Sequence, residues 1–120
     1  MQTILIIDDV ATDRELLGRV VTQAGHHPVF ASDGDEALSR AKETRPSMIF
    51  LDVVMPRVNG FNACRLLKQD PETAKIPVVL VTSKNTASDR FWGQKQGADD
   101  HLAKPYAPET IIDTIRRYVR

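Results

Sequence analysis

The chain has 120 residues, 42% hydrophobic and 27% charged, a length that fits one domain able to bury its own core without disulfides or metal. Sixteen Lys plus Arg balance sixteen Asp plus Glu, which speaks against a basic nucleic-acid binder and against an acidic solvating tail. The single Cys excludes an internal disulfide framework and fits a reducing, cytoplasmic setting. The opening apolar stretch is too short for a signal peptide, and no run approaches the roughly 18 apolar residues of a membrane span.

Short apolar runs alternate with helical patterns, with no linker or repeat. Residues 4–7 form an apolar run that stops at Asp8 and Asp9. Thr12 and Glu15 then have capping-box spacing, Leu16, Leu17, Val20, Val21 and Ala24 form a helical stripe, and Gly25 can close that helix. His26 and His27 precede Pro28 and are expected as solvated turn residues, since no Cys or acidic partner makes them a metal site. Residues 29–31 are a short candidate strand. Asp33 with Glu36 repeats the capping-box spacing before Ala37, Leu38 and Ala41.

The run 48–51 stops at Asp52. Asn59 can cap a helix carrying Ala63, Leu66 and Leu67, in which Cys64 is expected as a small packing residue. The run 78–81 stops at Thr82. The helix over about 87–96 is the weakest: Phe91 is its one strong core candidate, and Gly93 in its interior costs about 1 kcal/mol relative to Ala. It is expected to be the most mobile helix, with Gly97 closing it. Residues 101–103 are a last short strand before Lys104 and Pro105, and Ile111, Ile112, Ile115, Tyr118 and Val119 form the clearest helical stripe.

Continuous apolar runs suit parallel strands covered on both faces. Five strands alternating with five helices predict a doubly wound α/β domain with right-handed crossovers. Ligands in such sheets sit beyond the carboxyl ends of the strands. At that edge the sequence places Asp8 and Asp9, Asp52, Thr82 and Lys104. Three carboxylates against one ammonium leave an excess of negative charge that a divalent cation would neutralise. Hard carboxylate oxygens at a phosphate-handling site suit Mg²⁺. Any one of these residues reads equally well as a cap or loop end; five together at strand ends do not.

The segments Ile4-Leu5-Ile6-Ile7-Asp8-Asp9, Ile49-Phe50-Leu51-Asp52-Val53-Val54-Met55-Pro56, Asn59-Gly60, Val81-Thr82 and Lys104-Pro105 together resemble the receiver domain of two-component response regulators, over the whole chain. The resemblance implies a flavodoxin-like (βα)5 fold with strand order 2-1-3-4-5. One receiver over residues 1–120 is expected, with no output domain, since the sequence stops with the fifth helix. The resemblance also implies that Asp52 is the phospho-acceptor and that Asp9 and Asp52 ligate Mg²⁺ directly. Asp8 acts mainly through water, and the Val54 carbonyl is a further ligand. Thr82 becomes the switch hydroxyl and Lys104 the phosphate-pairing lysine, aimed inward by a cis Lys104-Pro105 bond. Pro56 restricts the backbone just after the site. The chemistry agrees: a carboxylate can attack a phosphoryl group, and such transfer needs little beyond positioning and charge neutralisation.

Receivers often carry Tyr or Phe three residues before the lysine; here His101 stands there. It reads as a tolerated substitution, or as a switch residue that turns with Thr82 and adds pH sensitivity near histidine's ordinary pKa of about 6.5. Val54 and Lys84 flank the site at positions that tune dephosphorylation in this family; Val54 offers no group to orient water and Lys84 is expected to be solvated, so slow hydrolysis is expected. The run Trp92-Gly93 through Gln96-Gly97-Ala98 resembles the stand-alone PilH-like regulators of twitching motility, whose systems resemble chemotaxis. Trp92 is either a half-buried aromatic or part of a partner surface.

These resemblances imply a histidine kinase as phosphodonor, in a chemotaxis-like system a CheA-like one. They also imply a downstream protein target met through the fourth helix, fifth strand and fifth helix, and a monomer or weak dimer. Three alternatives remain open: a phosphate sink, an interaction module that is never phosphorylated, and a phosphatase of the haloacid-dehalogenase type. The last usually needs a second Asp two residues after the nucleophile, where this chain has Val54.

Overall fold

The computed structural model describes residues 1–55 and 58–119. In chain order the elements are β1 (Thr3–Ile7), α1 (Ala11–Gln23), β2 (His27–Ala31), a 3-10 turn (Gly34–Glu36), α2 (Ala37–Thr44), β3 (Met48–Leu51), α3 (Gly60–Gln69), β4 (Val78–Thr82), α4 (Ala87–Lys95), β5 (Asp100–Ala103) and α5 (Pro108–Tyr118). The five strands form one parallel sheet in the order β2-β1-β3-β4-β5, as expected.

Alternation along each strand explains why the runs are apolar throughout. Leu5 and Ile7 of β1, Ile49 and Leu51 of β3, and Val78 and Leu80 of β4 face one layer, with Ala37 and Ala41 of α2 and Ala63, Cys64 and Leu67 of α3. Ile4, Ile6, Met48, Phe50, Val79 and Val81 face the other, with Leu17, Val20 and Val21 of α1 and Ile111 and Ile115 of α5. A strand covered on both faces has no polar side to show. Pro28 lies inside β2, where the edge position tolerates its missing N–H.

Several local expectations hold. Asn59 caps α3 by accepting the Asn62 N–H at 3.0 Å, Asp33 accepts the Glu36 N–H at 3.2 Å, and Gly25 and Gly97 follow α1 and α4 with positive φ of 88° and 96°. Four do not. Thr12 and Glu15 form no capping box, because α1 starts earlier, with Val10 as its cap residue. His27 opens β2 instead of lying in a turn, and His26 accepts the Gln2 N–H at 3.1 Å. Leu16 and Leu66 stand out from their stripes and are exposed.

Nor is Phe91 the core residue of α4: Phe91 and Trp92 are each 53% exposed, and Gly93 is the residue α4 buries. A Cβ at Gly93 would lie 2.7 Å from Leu80 Cδ1 and 3.3 Å from His101 Nδ1, so the glycine lets the helix settle onto β4 and β5. A capping box unread in the sequence starts α4: Thr86 accepts the Asp89 N–H and the Asp89 carboxylate accepts the Thr86 N–H, each at 3.1 Å.

Cys64 is a packing residue as expected, fully buried, and burial pushes its thiol up to about 12. Only the thiolate reacts, so a raised pKa means less reactive form at any given pH. Relative to a free cysteine near 8.5, roughly a thousandfold less thiolate is present at pH 8. The folded protein is expected to resist thiol-specific alkylation at pH 8 and to react at once in denaturant, which a mass-resolved time course would check.

Candidate functional site

The parallel sheet brings the carboxyl ends of β1, β3, β4 and β5 to one edge, at the β1–β3 boundary where the strand order reverses. Asp8 and Asp9 follow β1 directly and Asp52 follows β3. The Asp52 N–H bonds to the Ile7 carbonyl at 3.0 Å, which holds the two endings level. Thr82 ends β4, and Lys104 follows β5 with its N–H on the Thr82 carbonyl at 3.0 Å. The Lys104-Pro105 bond is cis.

Asp8 and Asp52 are buried, Asp9 is exposed, and the three carboxylates each offer an oxygen within 4.8 Å of the others. Asp8 Oδ1 accepts the Val10 N–H at 3.0 Å, and Asp52 Oδ1 accepts the Val54 N–H at 3.1 Å. Lys104 Nζ donates to Asp8 Oδ2 at 2.7 Å and to Asp52 Oδ2 at 3.0 Å. It also donates to Asp13 Oδ2 at 3.0 Å, a partner the sequence reading did not include. An Asp in the first turn of a helix is ordinarily explained by the helix dipole, which hides this second use. With Asp13 the site holds four carboxylates against one ammonium, one more negative charge than the strand ends alone suggest.

Burial and charge act against each other here. Burial raises the Asp8 pKa, Lys104 and the Val10 N–H work to lower it, and the Asp52 charge adds to the rise, leaving it above the ordinary carboxylate value. For Lys104, burial alone would lower the pKa, but hydrogen bonds to Asp8, Asp13 and Asp52 outweigh it and hold the ammonium well above its usual range. The lysine is therefore a fixed cation, while burial penalises the charge on Asp8. A hard cation on these oxygens would supply what the single ammonium leaves unbalanced, so the donor set fits a divalent metal of the Mg²⁺ type.

Thr82 is fully buried, and its Oγ1 accepts the Lys84 N–H at 3.1 Å. His101 lies in β5 beneath α4, with Nε2 at 2.8 Å from the Lys84 carbonyl. A carbonyl only accepts, so Nε2 carries the proton in this contact, leaving the buried Nδ1 without a partner among the described residues. The two residues thus grip Lys84, in the loop between β4 and α4, from both ends of its backbone. The Lys84 and Val54 side chains are exposed beside the site. Trp92 is not part of this cluster. It lies on α4, edge-on to Phe91 at 5.9 Å, with Lys95 Nζ 5.3 Å from the Phe91 ring. The Pro56 expectation lies outside the described residues.

A model of the response regulator receiver domain matches residues 4–116. Protein PilH of Pseudomonas aeruginosa is 41% identical over 115 residues, covering 96% of this chain and 95% of that one. The chain also matches longer transcriptional regulators, about half of whose length it spans. Chemotaxis protein CheY4 of Vibrio cholerae superposes with a TM-score of 0.92 at 29% identity, covering 99% of both chains. The receiver domain of a Pseudomonas aeruginosa sensor histidine kinase, with a magnesium ion in its active-site cleft, shares the fold at a TM-score of 0.90 and 23% identity, over 98% of this chain and 96% of that one. No helix among the described residues is long and apolar enough to cross a membrane. Matched over nearly its whole length, and with charged strand endings drawn together at the switch in strand order, the chain belongs to the response regulator receiver domain family.

Proposed function

We propose that this receiver takes a phosphoryl group from the phosphohistidine of a histidine kinase onto Asp52 and uses it to reset a protein-binding surface. The observation that carries the reading is the buried Asp52 carboxylate, 3.0 Å from Lys104 Nζ and clustered with Asp8 and Asp9. The Asp52 carboxylate attacks phosphorus, the donor N–P bond breaks, and the leaving imidazole keeps the electron pair and takes a proton from water. Lys104 holds the new negative charge on the phosphoryl oxygens. Asp8, Asp9, Asp52 and the Val54 carbonyl would hold Mg²⁺, which supplies charge neutralisation for the carboxylates and the phosphoryl group.

Thr82 is the switch hydroxyl. Turning it towards a phosphoryl oxygen releases the Lys84 N–H it now accepts, and His101, bound to the other side of Lys84, follows the loop. That couples a local charge change to a surface with two arrangements. The exposed Phe91–Trp92 pair on α4 supports the fourth helix, with β5 and α5, as the partner face. The likeness to PilH favours a stand-alone regulator of a twitching-motility pathway, served by a CheA-like kinase. The protein is a signalling switch, catalysing only its own phosphorylation and dephosphorylation.

Intact mass after incubation with acetyl phosphate tests this reading. A gain of about 80 Da, one phosphoryl group, that appears only with Mg²⁺ is the expected result; no gain from acetyl phosphate or from a kinase would overturn it. Metal removal gives a second expectation. At tenfold excess over its dissociation constant Mg²⁺ stabilises the fold by about 1.4 kcal/mol, so chelation is expected to lower the melting temperature by about 4 °C, read by thermal unfolding.

A further inference from the structure

An ammonium has three N–H donors, and Lys104 spends all three on carboxylates: Asp8 at 2.7 Å, Asp52 at 3.0 Å and Asp13 at 3.0 Å. An incoming phosphoryl group needs at least one of them while Asp52 is still a carboxylate, so an existing acceptor must let go before transfer. The three are not equally easy to release. The Asp8 and Asp52 side chains are 6% and 8% exposed, while that of Asp13 is 43% exposed. A buried carboxylate that loses its cation is left charged in a poorly solvated place, which is costly. A half-exposed one is taken over by water, and its ion pair contributes little. Asp13 also lines a groove with Leu16, Ser83, Lys104, Pro105 and Tyr106, so water reaches it on the side away from the buried carboxylates.

We propose that Asp13 is a positioning residue for phosphoryl acceptance: it occupies the third N–H of Lys104 in the resting site and competes for it with the incoming phosphoryl oxygens. The inference rests on Asp52 as acceptor and goes beyond it, because it assigns the resistance of the resting site to one side chain outside the strand endings. Asp13 holds the lysine in place at the cost of slower entry. It does not touch the phosphorus and accepts nothing from it.

Asp13→Asn keeps the size of the side chain and removes its charge. Its rate of Mg²⁺-dependent labelling by phosphoramidate is expected to rise about threefold to fivefold, the range set by a half-exposed ion pair. Beryllofluoride, a phosphoryl mimic that transfers nothing, is expected to bind tighter by a similar factor. Asp13→Glu, which restores the carboxylate, is expected to return both values towards wild type. Melting temperatures of the three proteins establish that each is folded at the assay temperature. An Asn variant that labels no faster, or binds beryllofluoride more weakly, overturns the inference while wild-type labelling leaves the acceptor reading intact. Folded wild-type protein that takes no label from phosphoramidate or a kinase overturns both.

Discussion

Asp52→Asn is expected to abolish Mg²⁺-dependent phosphorylation, with the labelling rate falling by about a thousandfold or more, as expected for loss of a nucleophile. The reason is electronic as well as geometric. The Asp52 carboxylate is an anion held between Lys104 Nζ at 3.0 Å and the Val54 N–H at 3.1 Å, so an oxygen lone pair is oriented before a donor arrives. A carboxamide of nearly the same shape has no charge to offer the phosphorus. The substitution leaves Asp8 and Asp13 on Lys104, so the lysine stays in place and the fold is expected to survive. Intact mass after acetyl phosphate treatment, with circular dichroism as a control, reads both. Persistent stoichiometric labelling of the folded variant would move the acceptor to another side chain, Asp9 being the exposed candidate.

The second large effect is expected from a residue with no side chain at all. Gly60 begins α3 directly behind the site, with its N–H on the Val53 carbonyl at 2.9 Å. A Cβ there would press on the Asp52 carbonyl oxygen and lie 2.5 Å from Val53 Cα. These are backbone atoms, so the clash cannot be relieved by turning a side chain; either α3 backs away or the Asp52–Val53 segment moves. Gly60→Ala is expected to cost about 3 kcal/mol, a large part of the roughly 5–15 kcal/mol that holds a domain together. A melting temperature about 10 °C lower would follow, together with slower labelling, if Asp52 is the acceptor, because its backbone is displaced. Wild-type stability and labelling in this variant would show that α3 does not fix the acceptor loop. Gly93→Ala makes a useful contrast, since its nearest obstacle is Leu80 Cδ1, the end of a flexible side chain.

Much of this molecule is legible in one dimension. The runs in the three central strands, residues 4–7, 48–51 and 78–81, are apolar because both faces are covered, and each ends where its first charged or hydroxyl residue reaches the sheet edge. That pattern needs only the neighbours in sequence, and it is enough to put Asp8, Asp9, Asp52, Thr82 and Lys104 on one rim. The Asn59 cap is equally local, as it depends on a side chain and an N–H three residues apart. The strand order and the cis bond before Pro105 came from family resemblance, because neither follows from periodicity.

What the sequence could not decide depends on distances between segments far apart in the chain. Phe91 looks like a core residue by type, yet it is exposed, because Gly93 lets α4 rest on Leu80 and His101 instead. Asp13 reads as a first-turn acid, and only the approach of Lys104, 91 positions away, makes it part of the site. His101 and Thr82 were each legible as switch candidates, but that both hold the backbone of Lys84 is a fact of packing. Composition and pattern determine which residues are buried in strands and which charges stand at their ends. Tertiary structure alone decides which partner each charge takes, because an ammonium has three donors and more than three carboxylates within the chain's reach.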